Sequence, residues 1–177
     1  MPAPVRHATA VAALPLHPDS DVLEVGGGGG VAAQLVLERL GPDGSYLGVD
    51  RSPVAEERTR RRCEATSGDA RWDVVRGSVE DVAPSLLEAS RDLVFAVNVN
   101  LFWTGDAAEP SRALRRLLRP GGSFWLFYET PSGSVTRRVA DAVVASLRGG
   151  GFDVVTAFVS GPRLAGFTAT CQRDRPS

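Results

Sequence analysis

The stretch "DVLEVGGGGGVAAQLVLERL", residues 21–40, places five consecutive glycines between an apolar run and a segment with helical character. Glycine loses more backbone freedom on folding than any other residue, so such a run is costly unless the backbone or the nearby space requires it. Both requirements arise in an open parallel sheet at the turn from a strand to a helix, where ligands bind beyond the carboxyl end of the strand. The stretch therefore predicts a ligand-binding loop after a buried first strand.

Apolar runs alternate with helix-like segments along the rest of the chain, which is typical of a parallel sheet with helices on both faces. The predicted strands are 21–25, 45–49, 72–76, 92–97, 123–128, 152–159 and 166–172. Only the short segment "SGPRLA" separates the last two strands, so they must form an antiparallel hairpin. We expect a single α/β domain over residues 1–177, with a short N-terminal cap segment at 1–20 and a core at 21–172.

The overall charge argues against several partners. The 177 residues carry a formal net charge of -1 and give a pI near 6.1, so no excess of cations is present to bind nucleic acid or an anionic membrane. The sequence has no run of about 18 apolar residues and no apolar core of a signal peptide. We therefore expect a cytoplasmic protein with no nucleic-acid or membrane partner.

The glycine loop matches one ligand-binding pattern better than another. The dinucleotide fingerprint G-x-G-x-x-G fits only in its weaker form, with Ala32 at the third glycine position. The pattern acid-x-G-x-G-x-G is matched in full by Glu24, Gly26, Gly28 and Gly30. A carboxylate at this point would repel a pyrophosphate by about 1 to 4 kcal/mol at about 4 Å, and it would attract the ammonium of an amino acid. Asp50 at the end of "GVD" can accept both hydroxyls of a ribose, so the predicted ligand is a nucleoside joined to an amino acid.

At this point the chain resembles the class I S-adenosylmethionine-dependent methyltransferases, from about residue 11 to 172. The resemblance rests on five segments in the same order: "EVGGGGG", "GVD", "VRGSVEDV", "DLVFAVNVNLFW" and "LRRLLRPGGSFWLFYE". It implies a three-layer Rossmann-like fold whose seven-stranded sheet has the order 3-2-1-4-5-7-6, with strand 7 antiparallel. It also implies S-adenosyl-L-methionine as the cofactor and S-adenosyl-L-homocysteine as the product.

The resemblance implies a set of cofactor-binding residues. Glu24 and the glycines would surround the methionine portion, Asp50 would hold the ribose, and the stem of Arg51 would lie along the adenine. Ser78 stands where many members place an acid that accepts from the adenine amino group, and Val79 offers a backbone N–H to the ring. The full set is Glu24, Gly26, Gly28, Gly30, Asp50, Arg51, Gly77, Ser78, Val79 and Asn98.

The resemblance places the reaction beyond the fourth strand, at "NVNLFW". Asn98 would lie near the reactive methyl group, with Asn100, Phe102 and Trp103 as a mouth, unless the two aromatic residues only cover the sheet edge. The candidate catalytic residues are Asn98, Trp103, His7 and Tyr128, with His17 and Glu129 as further proton acceptors. Because Asn98 is neutral where metal-dependent members carry a carboxylate, we predict no metal.

The leading hypothesis is an S-adenosyl-L-methionine-dependent methyltransferase that acts on a small-molecule acceptor. One alternative is an NAD(P)-binding oxidoreductase, which the position of Glu24 and the glycine spacing disfavour. The other alternative is a non-catalytic S-adenosylmethionine-binding sensor or partner subunit.

Overall fold

A computed structural model describes residues 5–132, 134–160 and 163–170. Its strands form one sheet and are β1 (Asp21–Val25), β2 (Ser45–Asp50), β3 (Arg71–Arg76), β4 (Arg91–Val97), β5 (Leu118–Glu129), β6 (Val154–Val159) and β7 (Leu164–Thr170). The order across the sheet is β3-β2-β1-β4-β5-β7-β6. The first five strands pair in parallel, and β7 is antiparallel to both β5 and β6. The predicted fold and the closing hairpin are therefore confirmed, while positions 171 and 172 of the predicted last strand lie outside the described residues.

Helices cover both faces of the sheet. They are α1 (Val5–Ala13), α2 (Val31–Leu37), α3 (Pro53–Glu64), α4 (Val79–Val82), α5 (Leu101–Thr104), α6 (Ala108–Leu117) and α7 (Arg137–Gly149), with a 3-10 turn at Ala83–Ser85. The first three helices pack on one apolar cluster, which contains Val22 and Phe95 of the central strands. The last four pack on a second cluster, which contains Val25 and Phe124. Because alternate strand residues face opposite sides, the central strands are buried on both faces and the site is left to their carboxyl ends.

The fifth strand begins earlier than predicted. It starts at Leu118, directly after α6, whereas the sequence places its start at residue 123. Leu118 pairs with Arg91 of β4, and the register then shifts before Leu93 pairs with Ser123. Gly121 in this segment has a φ of 87°, a conformation that glycine adopts without strain. Pro120, Gly121 and Gly122 therefore form a bulge within the strand.

Candidate functional site

The carboxyl ends of the first three strands open onto a cavity of about 350 Å³, which we call the loop cavity. It brings together six of the predicted cofactor residues, from three separate segments of the chain. Its lining consists of Val25, Gly26, Val49, Asp50, Arg51, Gly77, Ser78, Val79, Glu80, Val99, Leu101 and Thr104. The cavity lies where parallel-sheet proteins bind their ligands, at the turn between strand and helix.

The glycine loop adopts a conformation that explains its composition. Gly26, Gly28 and Gly30 have φ values of 75°, 56° and 72°, all in the left-handed region. A Cβ atom on Gly26 would lie 2.6 Å from the Val99 side chain, and one on Gly30 would lie 2.8 Å from Cα of Thr59. A Cβ atom on Gly28 would have no neighbour within 4 Å. Two of these glycines are therefore required by packing, and Gly28 borders open space in which a ligand can lie.

Asp50 is held in place by backbone groups at the end of β2. Its Oδ2 accepts a hydrogen bond from the Gly28 N–H at 3.1 Å, and its Oδ1 accepts from the Ser52 N–H at 2.9 Å. Ser52 is itself the N-cap of α3, so the carboxylate is tied to both the loop and the helix. A carboxylate has about four acceptor positions, and the remaining ones are available to hydroxyl donors of a ligand.

Ser78 caps the short helix α4. Its Oγ accepts from the Asp81 N–H at 3.2 Å and its backbone N–H donates to Oδ2 of Asp81 at 3.4 Å, which together form a capping box. The Oγ also donates to this Oδ2 at 2.7 Å. Asp81 therefore stabilises the start of this helix. The Ser78 hydroxyl keeps one free acceptor position toward the loop cavity, which Gly77 and Val79 also line.

Glu24 lies beneath the glycine loop and is not part of the loop cavity lining. It is 2% exposed, and its Oε2 accepts a hydrogen bond from the Tyr46 hydroxyl at 2.6 Å. Burial raises the pKa of Glu24 to about 7, with a further increase from the charge of Asp50 and an opposing effect from the Tyr46 hydrogen bond. The structure therefore places Glu24 as a support of the loop, not at the surface where the predicted ammonium contact would occur.

Asn98 joins the ends of β4 and β5. Its backbone N–H donates to the Phe127 carbonyl at 2.8 Å, and its side-chain Oδ1 accepts from the Glu129 N–H at 2.7 Å. The residue has a φ of 57°, which asparagine tolerates better than most residues. Asn98 is exposed and does not itself line the loop cavity, although the next residue, Val99, does.

The predicted aromatic mouth is wrong for Phe102. This residue is fully buried, and its ring packs edge-on against Phe124 at 5.2 Å between centroids. Trp103 is 36% exposed, because consecutive residues of a helix point about 100° apart. Neither aromatic residue lines the loop cavity, where α5 instead contributes Leu101 and Thr104. Sequence reasoning missed these two residues because the rotation of a one-turn helix is not visible in the sequence.

Tyr128 lies in the apolar layer under α7 and is 5% exposed. Its hydroxyl is buried and has no hydrogen-bond partner within the part of the chain that the structure describes, and its ring packs edge-on against Phe167. Burial raises the pKa of Tyr128 well above its usual range. The phenol is therefore held in its protonated form, which makes it a poor proton acceptor.

A second cavity of about 320 Å³ lies between α1, the end of β5 and the β6–β7 hairpin. We call it the hairpin cavity, and its lining is Val5, Arg6, Thr9, Glu129, Ser160, Arg163 and Leu164. Arg6 Nη1 and Glu129 Oε2 form an ion pair at 3.2 Å. The described part of the cap segment therefore borders this cavity, and none of its residues lines the loop cavity. Apart from Glu129, sequence reasoning missed this lining, because its residues come from opposite ends of the chain.

His7 follows Arg6 on α1. Its Nδ1 is buried and has no hydrogen-bond partner among the described residues. Burial lowers the pKa of His7, and Arg6 and Arg62 lower it further against the opposing charge of Glu129. His7 itself lines neither cavity, but its neighbour Arg6 lines the hairpin cavity and Arg62 donates to the Gly29 carbonyl at 3.0 Å. His17, in contrast, lies in the turn before β1, where its carbonyl accepts from the Ser20 N–H at 3.1 Å.

The described part of the chain has no membrane-spanning helix and no cluster of metal ligands. None of its helices is long and apolar enough to cross a lipid bilayer. No group of three or more His, Cys, Asp or Glu side chains within it is placed to hold a metal ion.

The comparison with known families decides the nature of this site. The sequence profile of the methyltransferase domain family matches residues 22–122, which is more than half of the chain and includes every residue of the loop cavity. The chain belongs to the methyltransferase domain family. This confirms the predicted enzyme class, and S-adenosyl-L-methionine is the cofactor of the methyltransferase. The prediction of this cofactor over NAD(P) is likewise confirmed.

Several known proteins are similar to this chain. The methyltransferase is 30% identical over 120 residues to the highly reducing polyketide synthase verA of Penicillium polonicum, an alignment that covers 67% of this chain and 5% of that protein. It is 29% identical over 134 residues to the protein-L-isoaspartate O-methyltransferase of Methanopyrus kandleri, covering 69% of this chain and 55% of that protein. The structure of a SAM-dependent methyltransferase from Aquifex aeolicus superposes with a TM-score of 0.75 at 15% identity, covering 92% of this chain and 88% of that one. The chain thus spans only part of the first two relatives, and the third shows the shared fold.

Proposed function

We propose that the methyltransferase transfers the methyl group of S-adenosyl-L-methionine to a small-molecule acceptor. The observation that carries this proposal is the presence of two small cavities at the carboxyl edge of one sheet, of about 350 and 320 Å³. Both volumes fall at the lower end of the range of about 300 to 1,000 Å³ that is typical of small-molecule pockets. The loop cavity would hold the cofactor and the hairpin cavity would hold the acceptor.

The residues of the loop cavity fit the cofactor by charge and by space. In the proposed arrangement Asp50 accepts the ribose hydroxyls, and Gly26, Gly28 and Gly30 bring the backbone close to the methionine portion. Gly77, Ser78 and Val79 border the adenine, and the stem of Arg51 lies along it. Open space at Gly28 and the fixed orientation of the Asp50 carboxylate support this arrangement. The bound cofactor supplies an electrophilic methyl group on a sulfonium centre.

The chain's main task is then to orient the acceptor and exclude water. Holding two reactants in the right geometry can lower the activation free energy of such a reaction by about 7 to 11 kcal/mol. Asn98 fixes the ends of β4 and β5 and so fixes the edge between the two cavities. Trp103 lines neither of the two cavities, so its contact with the acceptor stays a prediction that mutation tests.

We propose His7 as the proton acceptor when the nucleophile of the acceptor is protonated. Its Nδ1 is buried and unpartnered, and its lowered pKa keeps the ring neutral at pH 7. A neutral imidazole can take up the proton that the nucleophile loses during methyl transfer. Tyr128 is a weaker candidate for this role because its hydroxyl is buried in the apolar layer on the opposite face of the sheet from α1.

Tritiated methyl transfer from S-adenosyl-L-methionine tests the proposal. The purified methyltransferase is offered three substrates in parallel: a panel of small phenols, amines and carboxylic acids, a mixture of cellular proteins, and total RNA. Label in the small-molecule arm supports the proposal. Label confined to protein or RNA contradicts it, and S-adenosylhomocysteine binding without any transfer would favour a non-catalytic sensor.

His7→Gln tests the proposed base on any acceptor found in this way, with His17→Gln as the matched control. General-base catalysis contributes about 100- to 10,000-fold, so the rate should fall by at least that lower factor in the His7 variant only. His7 must be neutral to accept a proton, and it becomes protonated when the pH falls below its lowered pKa. Wild-type turnover should therefore be lost as the pH falls through that pKa. A His7→Gln variant with wild-type turnover and an unchanged acid limb would contradict this role.

A further inference from the structure

Among the described side chains that line the hairpin cavity, two are positively charged and one is negatively charged. Arg6 is neutralised by Glu129 through their ion pair at 3.2 Å. The remaining charged residue of the lining is Arg163, which is exposed. Its guanidinium has no ion pair or side-chain hydrogen bond with any of the residues that the structure describes, and only its carbonyl is used, by the Thr130 N–H. The cavity therefore carries one uncompensated positive charge.

The surroundings of the cavity reinforce this positive character. The charge of Arg62 lowers the pKa of His7, which lies on the helix that borders the cavity, and Arg62 is held by hydrogen bonds to the Gly29 carbonyl and to Gln34. Because Arg6 and Glu129 offset each other in their ion pair, the charge that remains near His7 is that of Arg62. An anion in the cavity would therefore encounter a favourable potential in addition to its direct partner.

The rest of the lining is apolar enough to hold an organic body. Leu164 is buried at the start of β7, and Val5 at the start of α1 is 80% exposed. Thr9 and Ser160 provide hydroxyl groups between the charged and apolar parts. A ligand that matches this lining has an apolar surface and a single negative charge.

We propose that the hairpin cavity binds an acceptor that carries one carboxylate group, held by Arg163, with its apolar body against Val5 and Leu164. A carboxylate matches the planar fork of a guanidinium and can accept two parallel hydrogen bonds from it. Its single charge balances the one unpaired cation, whereas a doubly charged phosphate would leave excess negative charge beside Glu129. This inference rests on the proposed function, because it names the substrate class of the same acceptor site.

Phenylacetate and phenylacetamide are suitable probes because they have the same shape and differ in charge. Both are titrated by ligand-detected NMR into the wild type, Arg163→Gln and Arg138→Gln, with saturating S-adenosylhomocysteine and without it. Arg138 is an exposed arginine of α7 on the opposite face of the sheet and serves as the matched control.

We expect the wild type to bind phenylacetate at least about tenfold more tightly than phenylacetamide, in line with a charge-assisted hydrogen bond. Arg163→Gln should lose most of this preference, while Arg138→Gln should keep it. The affinity for S-adenosylhomocysteine should be the same in all three proteins. Equal affinity for the two probes in the wild type, or no binding of phenylacetate, would overturn the inference. A preference that survives Arg163→Gln would also overturn it.

The same experiment separates this inference from the proposed function. A wild type that fails to bind S-adenosylhomocysteine but prefers phenylacetate through Arg163 would overturn the proposed function and keep the carboxylate site. A wild type that binds S-adenosylhomocysteine without any preference for phenylacetate would keep the proposed cofactor site and overturn the carboxylate site.

Discussion

The buried carboxyl group of Glu24 should make the stability of the protein depend on pH in a specific way. In the folded protein its pKa is raised from 4.5 to about 7, chiefly by burial. A group whose folded pKa is raised binds its proton more tightly in the folded state, so it stabilises the fold at low pH. This contribution is fully present below the unfolded pKa of about 4.5 and is lost as pH rises to about 7.

The expected size follows from the two pKa values. One pKa unit corresponds to about 1.4 kcal/mol, so the increase from 4.5 to about 7 corresponds to a loss of about 3 kcal/mol over this pH range. Glu24→Gln should remove the dependence, because the amide does not titrate and its oxygen can still accept from the Tyr46 hydroxyl. For a chain of this size about 3 kcal/mol corresponds to roughly 6 to 12 °C in Tm.

The assay is thermal or urea unfolding of the wild type and Glu24→Gln at several pH values from 4.5 to 8, without cofactor. Other groups titrate in the same range, so the decisive quantity is the difference in unfolding free energy between the two proteins. The wild type should lose stability relative to Glu24→Gln as pH rises to about 7 and change little above it. Parallel stability curves would refute the interpretation of Glu24 as a buried, protonated support of the loop.

Three further predictions concern the loop and the aromatic residues. Gly30→Ala should destabilise the fold by about 2 kcal/mol or more in urea unfolding, because Gly30 has a left-handed backbone and its added Cβ would lie against Thr59 of α3. Gly28→Ala should instead weaken S-adenosylhomocysteine binding more than it lowers the unfolding free energy. Tyr128→Phe should raise the unfolding free energy by about 1 kcal/mol, because it removes a buried hydroxyl that has no hydrogen-bond partner among the described residues. A large loss of stability would show instead that the hydroxyl makes a hydrogen bond in the folded protein. Trp103→Ala should raise the acceptor KM with little change in cofactor affinity or Tm, and a lower Tm with unchanged KM would instead assign Trp103 to packing.

The sheet was predictable from the sequence because its central strands are continuous apolar runs between helices of suitable length. The start of β5 was not, because Pro120 and the glycines after it are typical of a break, and only pairing with β4 shows that they form a bulge. The hairpin was predictable because a short connection cannot cross a sheet.

The loop cavity was largely predictable, because the carboxyl ends of neighbouring parallel strands must meet at one edge. The position of Glu24 was not, because its partner Tyr46 lies on another strand and the sequence does not show which strand residues face the ligand. Phe102 and Trp103 could not be distinguished, because their orientation depends on where a one-turn helix begins. The hairpin cavity was missed because Arg6 and Arg163 meet only through the packing of α1 near β7.

Calorimetric titration with S-adenosyl-L-homocysteine tests most directly the claim that the loop cavity binds the cofactor through Asp50. Asp50→Ala is compared with the wild type and with Asp43→Ala, which removes an exposed acid in the turn before β2, at the opposite edge of the sheet. Two charge-assisted hydrogen bonds to the ribose contribute roughly 3 kcal/mol or more, so the Asp50 variant should bind at least about 100-fold more weakly while Asp43→Ala keeps the wild-type Kd. Wild-type affinity in a folded Asp50→Ala variant would contradict the account.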